Sequence, residues 1–138
     1  MATNCWFWQP AATPTSGDGA DVEYSYRVPH PYVATLRKVP QADAPAFDLM
    51  IMASPADETH CRAWMVASYH SDVSEDEFFA FNDRIFQQDI PIVESQRPRC
   101  LPLDPTAERH QSSDKISLAY RRWLAELGLR YGVVPKEG

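Results

Sequence analysis

The clearest hydrophobic pattern lies between Ser74 and Pro98, where apolar residues recur at helical spacing. At about 100° per residue, one arc of the predicted helix carries six apolar side chains: Phe78, Phe81, Ile85, Phe86, Ile92 and Val93. Ser74 and Glu77 have the spacing of a capping box, which places the helix start at Ser74. Asp89 falls in the middle of the apolar arc. Because desolvation of a carboxylate is costly, a core-facing aspartate requires a hydrogen bond, a cation or a metal ion.

Two interpretations of Asp89 follow from the sequence. In the first, Pro91 ends the helix and Asp89 caps the next turn, since aspartate is a good N-cap and proline is tolerated in a first turn. In the second, Asp89 binds a divalent metal ion, and Asn82, one heptad earlier on the same face, is a neighbouring polar group. Glu94 projects away from the arc and is interpreted as a structural or interface acid.

Four segments before this helix have strand patterns: 22–28, 32–39, 47–54 and 60–70. The first alternates apolar and polar residues and is expected to end at Pro29 and Pro31. The third is apolar on both faces, which is typical of a strand in the middle of a sheet. Short connections between the four segments predict an antiparallel meander.

The two ends of the chain have weaker patterns. Residues 1–21 join the aromatic run Trp6, Phe7 and Trp8 to a tract rich in proline, glycine and small polar residues, which predicts an irregular segment. Residues 132–138 are expected to form a flexible tail.

The segments after the long helix complete the predicted layout. A proline-rich stretch over 97–105 predicts an extended strap without regular structure. A second helix is expected after Ser112 or Ser113, either of which would serve as its N-cap, and Gly128 is expected to end it. Strands followed by helices indicate an α+β domain over residues 22–131, in which an antiparallel sheet wraps a long helix.

Composition narrows the classes of partner. The 138 residues carry a net charge of -6, which argues against nucleic acid or an anionic membrane as a partner. The apolar runs are too short to span a bilayer and the N-terminus lacks a signal-peptide pattern, so a cytoplasmic location is expected. Three widely separated cysteines, Cys5, Cys61 and Cys100, are interpreted as reduced and buried.

The four histidines do not form a recognisable metal motif. None of them pairs at the helical spacing that makes two histidines a strong metal signal. His60 and His70 share a strand face but lie roughly 33 Å apart along an extended strand. His30 and His110 are likewise interpreted as surface or edge residues, with pocket lining as the alternative. The sequence also lacks a phosphate-binding loop, a nucleophile elbow and a Cys-x-His pair, so no catalytic residue is assigned.

An apolar cavity between the sheet and the long helix is one possible binding site. Its predicted lining is Trp64, Met65, Phe78, Phe81 and Phe86, with Asn82 as a polar group. The alternative is that these side chains form the ordinary core. The polar groups Asn82 and Asp89 favour the cavity.

Several short runs resemble one enzyme family. The run from Asp89 to Pro98, followed by Leu101-Pro102, Asp114 and the segment 120–124, is similar to the C-terminal end of Rieske non-haem iron oxygenase large subunits. The branch is that of vanillate demethylase-like and phenoxybenzoate dioxygenase-like enzymes, and the match covers about residues 79–124. The resemblance implies a helix-grip (START-like) fold. It also implies that Asp89 completes a site of two histidines and one carboxylate for Fe(II).

This sequence departs from the family pattern in two places. A complete member carries a Rieske domain, whose Cys-x-His and Cys-x-x-His pairs hold a 2Fe-2S cluster, and a helix with the two iron-binding histidines. Neither feature occurs here, so we expect an incomplete helix-grip domain without a 2Fe-2S cluster. Fe(II) would bind only if another chain or a local histidine supplied the missing ligands.

Three functional hypotheses follow. The resemblance implies a fragment or companion subunit of an oxygenase, either mono- or dioxygenase, that demethylates or hydroxylates hydrophobic aromatic compounds and is inactive alone. A chain bearing a Rieske domain, or copies of the same chain in a trimer, would then be its partners, and a trimer could bury the aromatic N-terminus. The second hypothesis is a stand-alone helix-grip module that binds a hydrophobic small molecule without catalysis. The third is a degenerate product that retains only a role in assembly.

Overall fold

The computed structural model describes residues 2–10, 19–41, 45–69 and 72–135. Its regular elements, in chain order, are β1 (Ala2–Gln9), β2 (Ala20–His30), β3 (Val33–Pro40), β4 (Phe47–Pro55), β5 (Cys61–Tyr69), α1 (Glu75–Glu94), β6 (Leu101–Pro102), α2 (Lys115–Glu126) and β7 (Val133–Val134). A single 3-10 turn, Ser112–Asp114, leads into α2. Among the described residues, no helix is long and apolar enough to cross a lipid bilayer.

The first five strands form one antiparallel sheet in the order β1-β2-β3-β4-β5. One row of paired residues crosses the whole sheet: Cys5, Tyr24, Lys38, Phe47 and Tyr69. Residues two positions away along each strand point to the same side, and we call this side the inner face. The predicted antiparallel meander and the α+β class are therefore confirmed.

The inner face carries the apolar side of the sheet. Val22 and Tyr24 are buried on it and pack with Cys5, Ala20, Tyr26 and Leu36. The outer face is more polar and carries an exposed ion pair between Arg37 and Asp48, whose charged atoms are 3.1 Å apart. A half-buried sheet of this kind positions one apolar surface for the helices that follow it.

A second small core forms near the C-terminus. Leu124 of α2 is fully buried and packs with Leu103 and Val133, and β6 pairs with β7 in parallel. The Tyr120 hydroxyl accepts a 3.0 Å hydrogen bond from the backbone N–H of Tyr32, which fixes α2 to the β2–β3 turn. The helix ends as predicted before Gly128, whose φ of 68° is the left-handed conformation that favours glycine.

Several sequence predictions differ from the structure at the ends of the chain. Ala2–Gln9 form an edge strand where an irregular segment was predicted, while residues 11–18 lie outside the described part. Leu101–Pro102, in the predicted strap, and Val133–Val134, in the predicted tail, pair with each other. These pairings were missed because neither stretch alternates over enough residues to reveal a strand.

Smaller differences concern single residues. Pro29 lies inside β2 and does not end it. Cys61 is exposed and the other two cysteines are half-buried, so the prediction of three buried cysteines was wrong. Neither Ser112 nor Ser113 caps α2, since its N-cap residue is Asp114.

Candidate functional site

The start of α1 is fixed by its own sequence. The amide N–H of Glu77 donates to Ser74 Oγ at 3.4 Å, and the N–H of Ser74 donates to Glu77 Oε2 at 3.3 Å. This reciprocal pair is the predicted capping box, and it satisfies two amides that a helix start would otherwise leave unpaired.

An aromatic cluster holds this first turn on the inner face of the sheet. The ring of Phe78 stacks on that of Tyr69 with centroids 5.7 Å apart, and it lies 6.1 Å from the ring of Phe47. Aromatic pairs at such distances add about 0.5–1.5 kcal/mol to the effect of their burial. The cluster therefore anchors the N-terminal end of α1 to β4 and β5.

The helix continues through Pro91 to Glu94, so Asp89 is an interior helical residue and not the cap of a following turn. Its side chain is exposed. The hydrophobic pattern predicts Asp89 on a core-facing stripe, but within the described structure this part of the stripe is uncovered, because Ile92 and Val93 are 65% and 68% exposed. The carboxylate therefore faces solvent among apolar neighbours.

Asn82 is the buried polar residue of this helix. Its side-chain Nδ2 donates to the backbone carbonyl of Phe78, one turn earlier, at 2.8 Å. This local bond satisfies part of the amide without an external ligand. Asn82 thus lies on the predicted side of α1.

The structure divides the predicted pocket residues between two sides of the sheet. Phe78, Phe81 and Phe86 are half-buried on α1, and Met65 shares the inner face with Tyr69. Trp64, adjacent to Met65 in β5, points to the outer face and is 52% exposed. Phe78 and Met65 therefore share the inner side of the sheet, whereas Trp64 does not.

Two cavities lie elsewhere. A shallow groove of about 430 Å³ crosses the sheet and is lined by Arg27, Thr35, Asp48, Met50 and Val66 among others. A smaller cavity of about 190 Å³ lies between the inner face and α2, where Tyr26, Ala34 and Ile116 line it. None of the six predicted pocket residues lines either cavity.

One charged residue on the inner face escaped the sequence analysis. The Lys38 ammonium lies 5.2 Å from the ring centre of Tyr24 and 5.6 Å from that of Phe47. Burial lowers the pKa of Lys38 from its ordinary value, because desolvation disfavours the charged form. The alternation of β3 could have revealed this position, because Lys38 lies two residues after Leu36 and therefore on the same face of the strand.

The described histidines do not gather around Asp89. His30 and His60 are exposed, and His60 Nδ1 lies 2.9 Å from the carboxylate of Asp57. His110 is half-buried, and its Nε2 accepts from the guanidinium of Arg121 at 3.3 Å. His70 lies outside the described residues. Within the described ranges, no three His, Cys, Asp or Glu side chains are arranged to hold a metal ion, so these residues alone do not fit an iron centre.

The fold and the position of α1 after β5 define a class of protein. The structure is similar to the catalytic domains of Rieske-type oxygenases, which confirms the resemblance predicted from the residues and is consistent with a helix-grip arrangement. The family model described as the vanillate O-demethylase oxygenase C-terminal domain matches residues 6–130. The chain therefore belongs to this family.

Particular relatives lie within the same class. The chain is 35% identical over 133 residues to the protein described as "Probable methylxanthine N7-demethylase NdmC" from Pseudomonas sp. (strain TJI-51). That alignment covers 95% of this chain and 47% of the relative. Methylxanthine N3-demethylase NdmB of Pseudomonas putida is 34% identical over 78% of this chain and 30% of its own length. The chain thus spans less than half the length of either relative.

Solved structures give the same picture. NdmB of Pseudomonas putida CBB5 superposes with a TM-score of 0.66 at 32% identity, covering 77% of this chain and 31% of that one. NdmA of the same organism, in complex with caffeine, gives a TM-score of 0.64 at 28% identity, covering 86% and 32% of the two chains. The described fold therefore corresponds to about a third of each solved chain.

Proposed function

We propose that this chain supplies the C-terminal catalytic-domain part of a Rieske-type oxygenase that demethylates a methylated aromatic heterocycle. The observation that carries the proposal is the 35% identity to NdmC over 95% of the chain. The caffeine complex of NdmA adds support, since it is a relative of the same fold with an N-methylated purine bound. The substrate class is then a flat, weakly polar ring that aromatic side chains can contact.

The metal contribution of the chain is one carboxylate. Asp89 is the position that the family resemblance assigns to an iron ligand, and the described residues do not bring two histidines near enough to form a site with it. The two histidines and the 2Fe-2S cluster are therefore proposed to lie in the part of the oxygenase that this chain does not match. When bound, Fe(II) would supply oxygen chemistry. Without those ligands the chain is inactive.

The half-buried aromatic side chains of α1 have a separate role in this proposal. Phe86 lies three residues and Phe81 eight residues before Asp89 on the same arc of the helix, and Met65 lies on the inner face of the sheet. We assign them to contact the substrate ring and to exclude water near the carboxylate. Asn82 would orient this surface through its bond to the Phe78 carbonyl.

Iron content tests the proposal. The chain is co-expressed with the part of NdmC outside the aligned region, and iron and N-demethylation of an N7-methylated xanthine are measured on the purified complex. We expect about one mononuclear iron per complex in addition to the cluster iron, loss of that iron and of turnover in Asp89→Ala, and neither loss in Asp83→Ala. Asp83 is the matched control because it is also exposed on α1 but lies off the apolar arc. Retention of the mononuclear iron in Asp89→Ala would contradict the assignment.

A second candidate function is a stand-alone module that binds a small hydrophobic molecule. The cavity between the inner face and α2 favours it, because Tyr26, Ala34, Ile116 and Tyr120 give it a largely apolar wall. At about 190 Å³ it is smaller than the 300–1,000 Å³ of typical ligand sites, which restricts it to a fragment-sized ligand. Caffeine binding to the chain alone, weakened by Ile116→Trp and unaffected by Asp89→Ala, would support this function instead.

A further inference from the structure

We propose that the outer face of the main sheet carries a binding site for a small carboxylate that is attached to an apolar ring. The site is the groove of about 430 Å³ that crosses the sheet, here called the outer groove. It lies on the face opposite to the contacts of α1, because Phe78 packs against Tyr69 on the inner face. The proposal therefore does not depend on the proposed function.

The strand register brings the lining of the outer groove together. Two neighbouring rows of cross-strand partners supply its side chains, and each row takes one residue from every strand between β2 and β5. The first row is Ser25, Arg37, Asp48 and Ser68, and the second row is Arg27, Thr35, Met50 and Val66. Because side chains alternate between the two faces of a strand, all eight point to the outer face. Backbone pairing therefore fixes the positions from which these side chains line the groove.

The outer groove holds one cation without a matching anion. The carboxylate oxygens of Asp48 lie 3.1 and 3.3 Å from Nη1 of Arg37, so these two opposite charges compensate each other. Within the described residues, no carboxylate lies at ion-pair distance from the exposed Arg27. The chain has a net charge of -6, so Arg27 forms a local positive site on an acidic protein. An anion is therefore the ligand group that this guanidinium favours.

The number of free charges favours a carboxylate over a phosphate. A guanidinium binds either group through two parallel hydrogen bonds. A carboxylate carries one negative charge, which the single unpaired Arg27 matches. A phosphate group carries between one and two negative charges at neutral pH and would require a second unpaired cation, which the described lining of the groove does not provide.

The remaining lining fits an apolar ring. Met50 is half-buried and Val66 is 51% exposed, so a ligand beside Arg27 would cover apolar surface that now faces water. The thioether of a methionine adapts to the shape of a ligand and makes favourable contacts with aromatic rings. The volume of the groove lies within the 300–1,000 Å³ of typical ligand sites. A single aromatic ring that bears a carboxylate combines these properties, and benzoate is the simplest example.

Methyl NMR of the methionines tests the site directly. The full chain is labelled with ¹³C at its methionine methyl groups and titrated with benzoate. We expect a saturable shift of the Met50 methyl signal and no shift of the Met65 methyl signal, because Met65 points to the inner face. Benzamide lacks the charge and acetate lacks the ring, and each should bind about fivefold more weakly than benzoate or worse. Inorganic phosphate should bind no better than acetate.

Three substitutions locate the ligand. Arg27→Leu is expected to raise the Kd for benzoate about fivefold, and Arg27→Lys should recover part of the loss by restoring the charge. Arg62→Leu is the matched control, because it removes an exposed cation from the same face but outside the groove, and it should leave the Kd unchanged. Arg27 also lines the smaller cavity beside α2, so Ile116→Trp, which fills that cavity, should leave the Kd unchanged as well.

Each contrary result has a definite meaning. The proposal is overturned if the Met50 signal does not move at tens of millimolar benzoate, or if the Met65 signal moves equally. Equal binding of benzamide, or equal weakening by Arg62→Leu, would remove the role of Arg27 and overturn it too. Equal binding of acetate or phosphate would contradict the role of the apolar ring. Loss of binding in Ile116→Trp would place benzoate in the smaller cavity and support the second candidate function instead.

Discussion

The two helices of this chain have similar sequence patterns and different surroundings. α2 is 12 residues long, and its Leu124 is fully buried against Leu103 and Val133. α1 is 20 residues long, and Asn82 is its one buried residue in the described structure. Both helices are amphipathic, so the difference lies in what covers their apolar arcs.

The difference follows from where the covering residues lie in the sequence. The buried Leu124 of α2 packs on Leu103 and Val133, which lie within about two dozen positions of it in the sequence. Tyr120 adds one distant contact, the hydrogen bond from the backbone N–H of Tyr32. α1 packs on Phe47 and Tyr69 through its first turn, but the described residues do not cover Ile92 and Val93. An amphipathic pattern therefore identifies a face that needs a cover, but not the polypeptide that supplies it.

The largest expected effect compares one aliphatic residue on each helix. Leu124→Ala removes a fully buried side chain, and we expect it to lower the free energy of unfolding by about 2–5 kcal/mol. Ile92→Ala on α1 removes a side chain that is 65% exposed, and we expect a loss below about 0.5 kcal/mol. Urea unfolding of the two variants checks both values. Equal losses would show that Ile92 is covered in the free chain, which would contradict the comparison.

The aromatic anchor of α1 should have the next largest effect. Phe78→Ala removes the ring that contacts Phe47 and Tyr69, and we expect a loss of about 1–3 kcal/mol because the ring is only half-buried. Hydrogen exchange of the α1 amides should accelerate while that of the α2 amides does not. Phe79→Ala is the control, since the Phe79 ring is exposed and should contribute little. Acceleration in both helices would mean that they unfold as one unit.

The helix starts differ as well. Ser74→Ala breaks the capping box of α1 and is expected to cost about 1 kcal/mol, visible as reduced helicity and a lower urea midpoint. Ser113→Ala is the matched change before α2, where no serine caps the helix, and it should have almost no effect. A larger loss from Ser113→Ala than from Ser74→Ala would contradict the cap assignment.

The sequence predicted those features that depend on local spacing. The capping box at Ser74, four strands of the main sheet and the end of α2 before Gly128 all follow from residues a few positions apart. The strand Ala2–Gln9 was missed because three consecutive aromatic residues, 6–8, conceal any alternation. The pairing of β6 with β7 was missed because it joins residues about thirty positions apart.

The candidate site was only partly predictable for the same reason. Periodicity placed Asn82 and Asp89 on the same arc of α1, but it could not show that Asn82 would be buried and Asp89 exposed. Burial depends on the neighbouring surface, and the surface beside Asp89 is not formed by the described residues. The resemblance named a metal-binding role for Asp89 that the described residues do not supply alone.

The smallest predicted effect concerns the β4–β5 turn. A 3.4 Å hydrogen bond from Cys100 Sγ to the carbonyl of Glu58 joins this turn to the segment that leads into β6. In this turn the carboxylate of Asp57 accepts from the N–H groups of Thr59 and His60, each at 2.8 Å, and from the His60 ring. The backbone bond from Thr59, followed by the His60 side chain, lowers the pKa of Asp57 to about 2 from an ordinary value of 3.8.

A carboxylate with a lowered pKa in the folded state stabilises the fold above its unfolded pKa, and this contribution is lost as the pH falls from about 4 through about 2. Asp57→Asn should therefore lower the urea midpoint slightly at pH 6, and the difference from the unmodified chain should shrink as the pH falls through this window. Asp83→Asn, which alters an exposed aspartate outside the turn, is the control. Asp57 and His60 are exposed, so solvent screens their attraction and the expected effect is small. A difference in urea midpoint that persisted unchanged at pH 2 would show that the effect comes from the shape of the turn and not from its charge.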